Sequence, residues 1–210
     1  MSDATSGAAE PTRSAGGAPL KLVLATHNAH KVVELRRILA DQLAGIELIG
    51  YDGPEPIEDG DTFEANALIK ARAAAAFTGL PAIADDSGIS ADALGGAPGI
   101  HSARYAGNRD DTENLELLLT NLADEDNRAA QFTCAAAFVS GDFEHVELGI
   151  WPGEVLRERA GAAGFGYDPI FRPEGHTVSA AELTSDEKNA ISHRTLAFTR
   201  LMPVVRDALL

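Results

Sequence analysis

The chain has 210 residues, 45% of them hydrophobic, which is ordinary for a soluble α/β protein with a sizeable core. Its formal net charge of −15 argues against DNA or RNA as the main partner, because nucleic-acid affinity rests on neutralisation of phosphates by Lys and Arg. The single cysteine, Cys134, excludes an intramolecular disulfide, and no apolar run of about 18 residues predicts a membrane span. We therefore expect a cytoplasmic protein in which Cys134 is a buried small hydrophobe.

The N-terminal segment, residues 1–19, differs in composition from the rest of the chain. It is rich in Ala, Gly, Ser and Pro and lacks the apolar core of a secretory signal. This composition predicts a disordered tail. Residues 20–210 show no convincing internal repeat, and we expect them to form a single domain.

The first elements after the tail alternate between strand and helix. The aliphatic run "LKLVLAT" (20–26) predicts a buried strand. In "NAHKVVELRRILADQL" (28–43) the apolar residues recur three or four positions apart, which is the pattern of one helix face. "IELIG" (46–50) predicts a second strand, and a polar loop that contains Glu58 follows it.

A second helix and a third strand come next. The helix is predicted to start near Asp61 or Thr62, since Asp61 and Glu64 resemble a capping box, and Gly79 is a plausible stop. "PAIA" (81–84) then predicts a short buried strand that ends at the adjacent carboxylates of "ADDSG".

This acidic pair, Asp85 and Asp86, is the first candidate for chemistry. Ligands of open α/β sheets bind beyond the carboxyl ends of strands. One aspartate there could hold a hard divalent cation or take a proton from water. The alternative is that both residues only cap a turn, as Asp often does before Gly.

The second half of the chain changes character. After a loop of small residues (87–110), a helix is predicted at about 111–123. "AAQFTCAAAFVS" and "FEHVELGIWPG" then predict two strands joined by a Gly-Asp hairpin turn. "EVLRER" (154–159) is a possible third strand, and residues 160–175 read as irregular.

The chain is predicted to close with a long helix. Thr184 and Glu187 have the spacing of a capping box, and a helix could run from about 187 to 208. Strand–helix units at the front and a hairpin later predict an α/β fold with a mixed twisted sheet flanked by helices.

Three further stretches carry groups suited to a phosphorylated ligand. "ATHNAHK" (25–31) places a hydroxyl, an amide and an ammonium at a helix start, where phosphates bind well. In "AGFGYDPIF" (163–171) glycines flank aromatic rings that could stack on a base. "SDEKNAISHR" (185–194) gathers three basic side chains. Each stretch also has a purely structural interpretation, namely helix capping, core packing and a solvated helix surface.

Five motifs together resemble one family. "LVLATHNAHKVVEL", "DTFEANALIKA", "PAIADDSGISADALGGAPGIHSARYAG", "GFGYDPIF" and "TSDEKNAISHR" are similar to the inosine/xanthosine triphosphate pyrophosphatases, which remove deaminated purine nucleoside triphosphates from the nucleotide pool. The resemblance runs from about residue 20 to the C-terminus, in family order. It implies an elongated two-lobed fold with a central cleft, a Mg²⁺ cofactor and a homodimer.

The resemblance also implies roles for particular residues. Asp86 would be the general base and, with Glu58, a Mg²⁺ ligand, while Ser87 would touch the substrate. His27 stands where the family often has Gly. The other implied substrate-binding residues are Thr26, His27, Asn28, Ala29, His30 and Lys31 for the phosphates, Phe165, Gly166, Tyr167 and Asp168 for the base pocket, and Lys188, His193 and Arg194 for the purine.

The implied reaction converts ITP, dITP or XTP into the nucleoside monophosphate and pyrophosphate. The partners are then small purine nucleoside triphosphates, with no nucleic-acid polymer and no membrane. Two alternatives stay open: a Maf-like nucleotide pyrophosphatase with another base preference, and a non-catalytic nucleotide-binding protein.

Overall fold

The computed structural model describes residues 19–210, which form one six-stranded sheet flanked by helices. The predicted N-terminal tail, apart from residue 19, lies outside this range. The strands are β1 (Leu20–Leu24), β2 (Ile46–Gly50), β3 (Ala82–Ala91), β4 (Ala129–Ser140), β5 (Phe143–Val155) and β6 (Phe171–Pro173). The α-helices are α1 (Ala29–Leu39), α2 (Phe63–Thr78), α3 (Asp111–Asn121), α4 (Ser185–Ile191) and α5 (His193–Leu209).

The sheet is mixed, in the order β2-β1-β3-β4-β5-β6, which confirms the predicted fold class. β1 pairs in parallel with β2 and, over two residues only, with β3. The remaining ladders are antiparallel. The β4–β5 hairpin turns at Gly141 and Asp142 as predicted, with Gly141 in the left-handed region at φ 58°. No helix within residues 19–210 is long and apolar enough to span a bilayer.

The prediction that the third strand ends at Ala84 was wrong. β3 continues to Ala91 because β4 pairs with it in antiparallel register along its whole length. The acidic pair therefore lies inside the strand, opposite Ala135 and Ala136. β1 ends at Leu24, so the carboxylates still lie just beyond the carboxyl end of a neighbouring parallel strand.

Three hydrophobic clusters surround the sheet. The first joins one face of β1, β3 and β4 to α1 and α5. The second joins the other face of the same strands to the Ala-rich helix α2. The third lies at the far end of β3, β4 and β5, against α3 and β6. Cys134 is fully buried in the first cluster, as predicted.

The structure decides between the two residues at which α2 was predicted to start. Thr62, not Asp61, caps α2, because its side chain accepts a hydrogen bond from the Ala65 backbone N–H at 3.1 Å. The end of α2 was predicted correctly, since Gly79 adopts the left-handed conformation at φ 68°. The Thr184–Glu187 capping box is also present, at the start of α4.

The predicted closing helix is two helices. Ser192 has extended backbone angles and separates α4 from α5, and its side chain accepts from the Thr195 N–H at 3.3 Å. The predicted strand at 154–159 was wrong as well. Its first two residues belong to β5, and the third antiparallel strand is β6, which pairs with Gly153–Val155.

Candidate active site

A cavity of about 360 Å³ opens where β1 ends. It is lined from the first turn of α1, from β3, from the loop before α3 and from the start of α5. Among the predicted substrate-binding and metal-binding residues, those that line it are Thr26, His27, Asn28, Lys31, Glu58, Asp86, Ser87, Phe165, Gly166, Tyr167, Asp168, Lys188, His193 and Arg194. Ala29 and His30 do not line it.

Asp85 lies on the α1–α5 side of β3 and is held by two cations. Its Oδ2 atom is 2.8 Å from the Lys31 Nζ and 3.3 Å from the Arg194 Nε, and the Ser87 hydroxyl donates to it at 2.6 Å. Burial alone would raise the pKa of this carboxyl, but Lys31 and Arg194 outweigh burial and hold the pKa far below its usual range. Asp85 is therefore a permanent anion that fixes Lys31 and Arg194.

Asp86 points to the opposite, α2 side of the strand and has a different environment. Its Oδ1 accepts from the Lys70 Nζ at 3.0 Å, while its Oδ2 is buried and has no partner among the described residues. Burial raises the pKa of Asp86, and the Lys70 ammonium only partly offsets this. A carboxylate with one unpartnered oxygen at a cavity can accept a proton from water or bind a cation.

The donor set around Asp86 fits a magnesium ion. Lys70 Nζ lies 3.0 Å from Asp86 and 3.5 Å from Glu58, so these two carboxylates are close enough together to share one ammonium. In residues 19–210 no group of three His, Cys, Asp or Glu side chains is arranged as a metal site. Two carboxylates are nevertheless what Mg²⁺ commonly uses when substrate phosphates and water complete its coordination.

The first turn of α1 forms one wall of the cavity. Asn28 caps the helix, since its Oδ1 accepts from the His30 and Lys31 N–H groups at 2.9 and 3.3 Å, and Thr26 Oγ1 accepts from the Asn28 N–H. The helix-capping interpretation of Asn28 is therefore correct, and phosphate contact would be an additional role. His27 reaches sideways, with its Nε2 3.0 Å from the Gly53 carbonyl oxygen.

The loop before β6 forms the opposite wall. The buried Asp168 carboxylate accepts from the Phe165 N–H at 2.9 Å and from the Lys188 Nζ at 2.7 Å, so it shapes its own loop and orients Lys188. Tyr167 is buried and donates its hydroxyl to the Ser102 carbonyl at 2.7 Å. Phe165 lies 5.0 Å from Lys188 Nζ, measured to the ring centroid, and stacks on the imidazole of His30.

The break at Ser192 brings His193 and Arg194 into the cavity at the start of α5. Both are buried, and the His193 ring stacks on Phe132. Burial lowers the pKa of His193 well below its usual value, and the nearby Arg194 and Lys188 lower it further, so the imidazole is neutral. Its Nδ1 atom is buried without a partner in the described part of the chain.

Two residues that form ion pairs with the predicted site residues were missed by sequence reasoning. Lys70 lies between Asp86 and Glu58, and the signal was a lone Lys in the Ala-rich run "ALIKARAAAA". Glu34 is ion-paired with Arg194 and lies 3.6 Å from Lys188. Its signal was the three-residue spacing from Lys31, which places both on one face of α1.

Comparison with known proteins identifies the family of this chain. The Ham1 family model matches residues 22–204. The chain belongs to the Ham1 family. The dITP/XTP pyrophosphatase of Leifsonia xyli subsp. xyli is 56% identical to this chain. The match covers 89% of this chain and 96% of that protein. The dITP/XTP pyrophosphatase of Streptomyces coelicolor is 53% identical over 90% and 98% of the two chains.

Solved structures support the Ham1 fold. A Ham1 protein from Coxiella burnetii superposes with a TM-score of 0.82 at 44% identity, covering 90% of this chain and 99% of that one. The nucleoside-triphosphatase, dITP/XTP pyrophosphatase, of Mycobacterium abscessus gives 0.72 at 45% identity over 88% and 100%. The family expected from the five sequence motifs is thereby confirmed.

Proposed function

We propose that this Ham1 protein hydrolyses deaminated purine nucleoside triphosphates, namely ITP, dITP and XTP, to the monophosphate and pyrophosphate. The family membership supports the reaction, because its relatives are dITP/XTP pyrophosphatases. The observation that carries the chemistry is the buried, unpartnered Oδ2 of Asp86 at the cavity wall. A Maf-like enzyme with another base preference and a non-catalytic binding protein are not favoured by these comparisons.

Asp86 is the proposed general base. Its free oxygen accepts the proton of the water that attacks phosphorus at the α–β linkage, and Lys70 keeps the carboxylate in place. Asp86 and Glu58 are the proposed Mg²⁺ ligands. When bound, this ion supplies positive charge that screens the triphosphate and polarises its oxygens. Lys31, which Asp85 holds at the cavity wall, lies where it can stabilise charge on the leaving pyrophosphate.

Base selection follows from the donors at the other end of the cavity. Hypoxanthine and xanthine present a 6-keto acceptor, whereas adenine presents a 6-amino donor. Lys188 uses one of its three N–H groups on Asp168, which leaves donors for a keto oxygen. Adenine would leave those buried donors unpaired, and such a mismatch can discriminate by about 10⁴-fold. The proposed ring contacts are Phe165, Gly166 and Tyr167, with His193 and Arg194 behind them.

The reaction is tested by incubating the protein with ITP and Mg²⁺ and identifying the products. IMP and pyrophosphate are expected, whereas IDP and orthophosphate would refute the proposed cleavage site. Parallel assays with XTP, dITP, GTP, ATP, dTTP and UTP test base preference. A preference for a pyrimidine would favour the Maf-like alternative, and ITP binding without turnover would favour the binding protein.

The remaining parts of the proposal concern assembly and location. A homodimer and a cytoplasmic location are supported by the resemblance to the pyrophosphatase family and by the single, buried cysteine. Size-exclusion chromatography with light scattering tests the dimer, since a monomeric mass at micromolar concentration would contradict it. Fractionation of the producing cells tests the location.

A further inference from the structure

The cations deep in the cavity are already neutralised. Lys31, Lys70, Lys188 and Arg194 each form an ion pair with a carboxylate. The distance is 2.8 Å for Lys31 and 2.7 Å for Lys188. Five carboxylates are the partners in these ion pairs: Asp85, Asp86, Glu58, Asp168 and Glu34. The inner site therefore has no surplus positive charge, although its proposed substrate carries several negative charges.

Two further cations line the same cavity, and both lie at its mouth. Arg104 is exposed and has no carboxylate partner among residues 19–210. Arg109 pairs with Glu55 at 3.1 Å, but the side chains are 62% and 47% exposed, and such a pair contributes little. In a chain with a net charge of −15, a guanidinium without a partner at a cavity mouth is available to an anionic ligand.

The backbone that carries Arg104 is fixed close to Asp86. Arg104 ends the 3₁₀ helix Gly99–Arg104, which packs on β3 two residues beyond Asp86. The Ile89 N–H donates to the Ser102 hydroxyl at 2.9 Å, and a Cβ atom at Gly88 would lie 2.4 Å from the Gly99 carbonyl oxygen. The helix is thus rigidly held while the Arg104 side chain stays free in solvent.

We propose that Arg104 binds the terminal phosphates of the substrate, and that Arg109 joins it by leaving Glu55. This inference rests on the proposed function and adds two substrate-binding residues to it. A guanidinium presents two parallel N–H groups that match phosphate oxygens, which an already paired lysine cannot do. In the proposed function the β and γ phosphates lie beyond the linkage that is cleaved at Asp86, so arginines that bind them would also hold the leaving pyrophosphate.

The test compares Arg104→Gln with the wild-type chain in steady-state ITP hydrolysis with Mg²⁺. We expect the KM for ITP to rise about tenfold or more, with a much smaller change in kcat. The inhibition constant of inorganic pyrophosphate should rise by a similar factor, while that of IMP changes less than about twofold. Arg104→Lys keeps the charge and should recover part of the loss.

Arg159→Gln is the matched control, since it removes one exposed guanidinium that pairs with Glu116 outside the cavity. It should leave all these constants unchanged. For Arg109, Glu55→Gln should lower the KM for ITP in the wild-type background and have no effect in Arg109→Gln.

Three results decide the inference. An unchanged KM in Arg104→Gln overturns it, and so does an IMP inhibition weakened as much as that of pyrophosphate, which would place Arg104 at the nucleoside end. A wild-type chain that does not convert ITP to IMP and pyrophosphate refutes the proposed function instead. Because the wild-type assay is run first, failure of the proposed function is distinguished from failure of the proposed role of Arg104.

Discussion

The two faces of β3 hold neighbouring carboxylates whose pKa values are shifted in opposite directions. On the α1–α5 face, Asp85 is fully buried and held by Lys31 and Arg194, which keep its pKa far below the usual range. Each carboxylate has one buried oxygen without a partner among residues 19–210. On the α2 face, however, burial raises the pKa of Asp86, which accepts a hydrogen bond from the single ammonium of Lys70. Residues adjacent in a strand point to opposite faces, so one strand separates a doubly ion-paired carboxylate from the proposed general base.

The largest expected effect comes from Asp86→Asn. The amide cannot accept the proton of the attacking water, so kcat/KM for ITP should fall by about 10²–10⁴-fold. The Tm should fall less than in Asp85→Asn, because Glu58 stays 3.5 Å from the Lys70 ammonium as a second partner. Product formation and thermal unfolding are measured on the same preparation. A variant with full activity would remove Asp86 from its proposed role.

Asp85→Asn should affect stability first. Breaking a buried ion pair costs about 3–5 kcal/mol, which corresponds to a Tm lower by about 6–20 °C for a chain of this size. Because the folded pKa of Asp85 lies below its unfolded value, the lost stabilisation is present above the unfolded pKa and disappears in strong acid. The Tm difference from wild type should therefore shrink as the pH falls.

Glu116→Gln is the control for this charge change, since it breaks an exposed pair with Arg159. Its unfolding free energy should change by less than about 1 kcal/mol. If Asp85→Asn unfolds at the wild-type temperature, the ion pairs of Asp85 with Lys31 and Arg194 do not stabilise the fold as their contacts indicate.

Much of this arrangement could be predicted from local pattern. The aliphatic runs of β1 and β2, the hairpin turn and the capping box of α4 each depend on neighbours in sequence. The length of β3 could not be predicted, because Ser87–Ala91 become strand only through pairing with β4. The opposite orientation of Asp85 and Asp86 depends on that extension, so it was not accessible either.

The candidate site shows the same limit. Sequence motifs indicated Asp86, Lys31 and Arg194, but they could not pair the charges, because each partner comes from another element. Lys70 reaches Asp86 from α2, and Glu34 reaches Arg194 across the interface of α1 with α5. The break at Ser192 was missed for a similar reason. A serine is tolerated inside helices, and only its cap on α5 shows that a new helix begins there.

Gly88→Ala should weaken the attachment between β3 and the 3₁₀ helix Gly99–Arg104. The added Cβ would lie 2.4 Å from both the Gly99 carbonyl oxygen and the Ser102 hydroxyl, so backbone must move. Overpacking of this kind costs about 1–3 kcal/mol of unfolding free energy. The KM for ITP should also rise, since Arg104 moves with its helix, and chemical denaturation together with steady-state kinetics measures both. Gly79→Ala, in open space at a helix end, tests left-handed backbone strain without a close contact.

Lys70→Met tests the α2 face by removing the ammonium that donates a hydrogen bond to Asp86. The pKa of Asp86, already raised by burial, should rise further because the offsetting ammonium is lost. Activity requires the ionised base and is lost as the pH falls through its pKa, so the acidic limb of the kcat/KM profile should move to higher pH. Lys21→Met, an exposed change on β1, should leave the profile in place. An acidic limb that stays unmoved in Lys70→Met would show that Lys70 does not control Asp86.

The smallest effect concerns Cys134, which reports on the Asp85 face because it lies opposite Ser87 on β4. Burial and the nearby Asp85 carboxylate raise the pKa of this thiol to about 12. The thiolate is the reacting form, so the native chain should react with a thiol reagent only through unfolding, and the thiol should become accessible in denaturant. In Asp85→Asn the same reaction should accelerate in step with the loss of stability, whereas in Asp86→Asn it should accelerate less. Equal acceleration in both variants would mean that the two carboxylates affect the stability of the strand equally. The two faces of β3 would then differ in the pKa of their carboxylates and not in their contribution to stability.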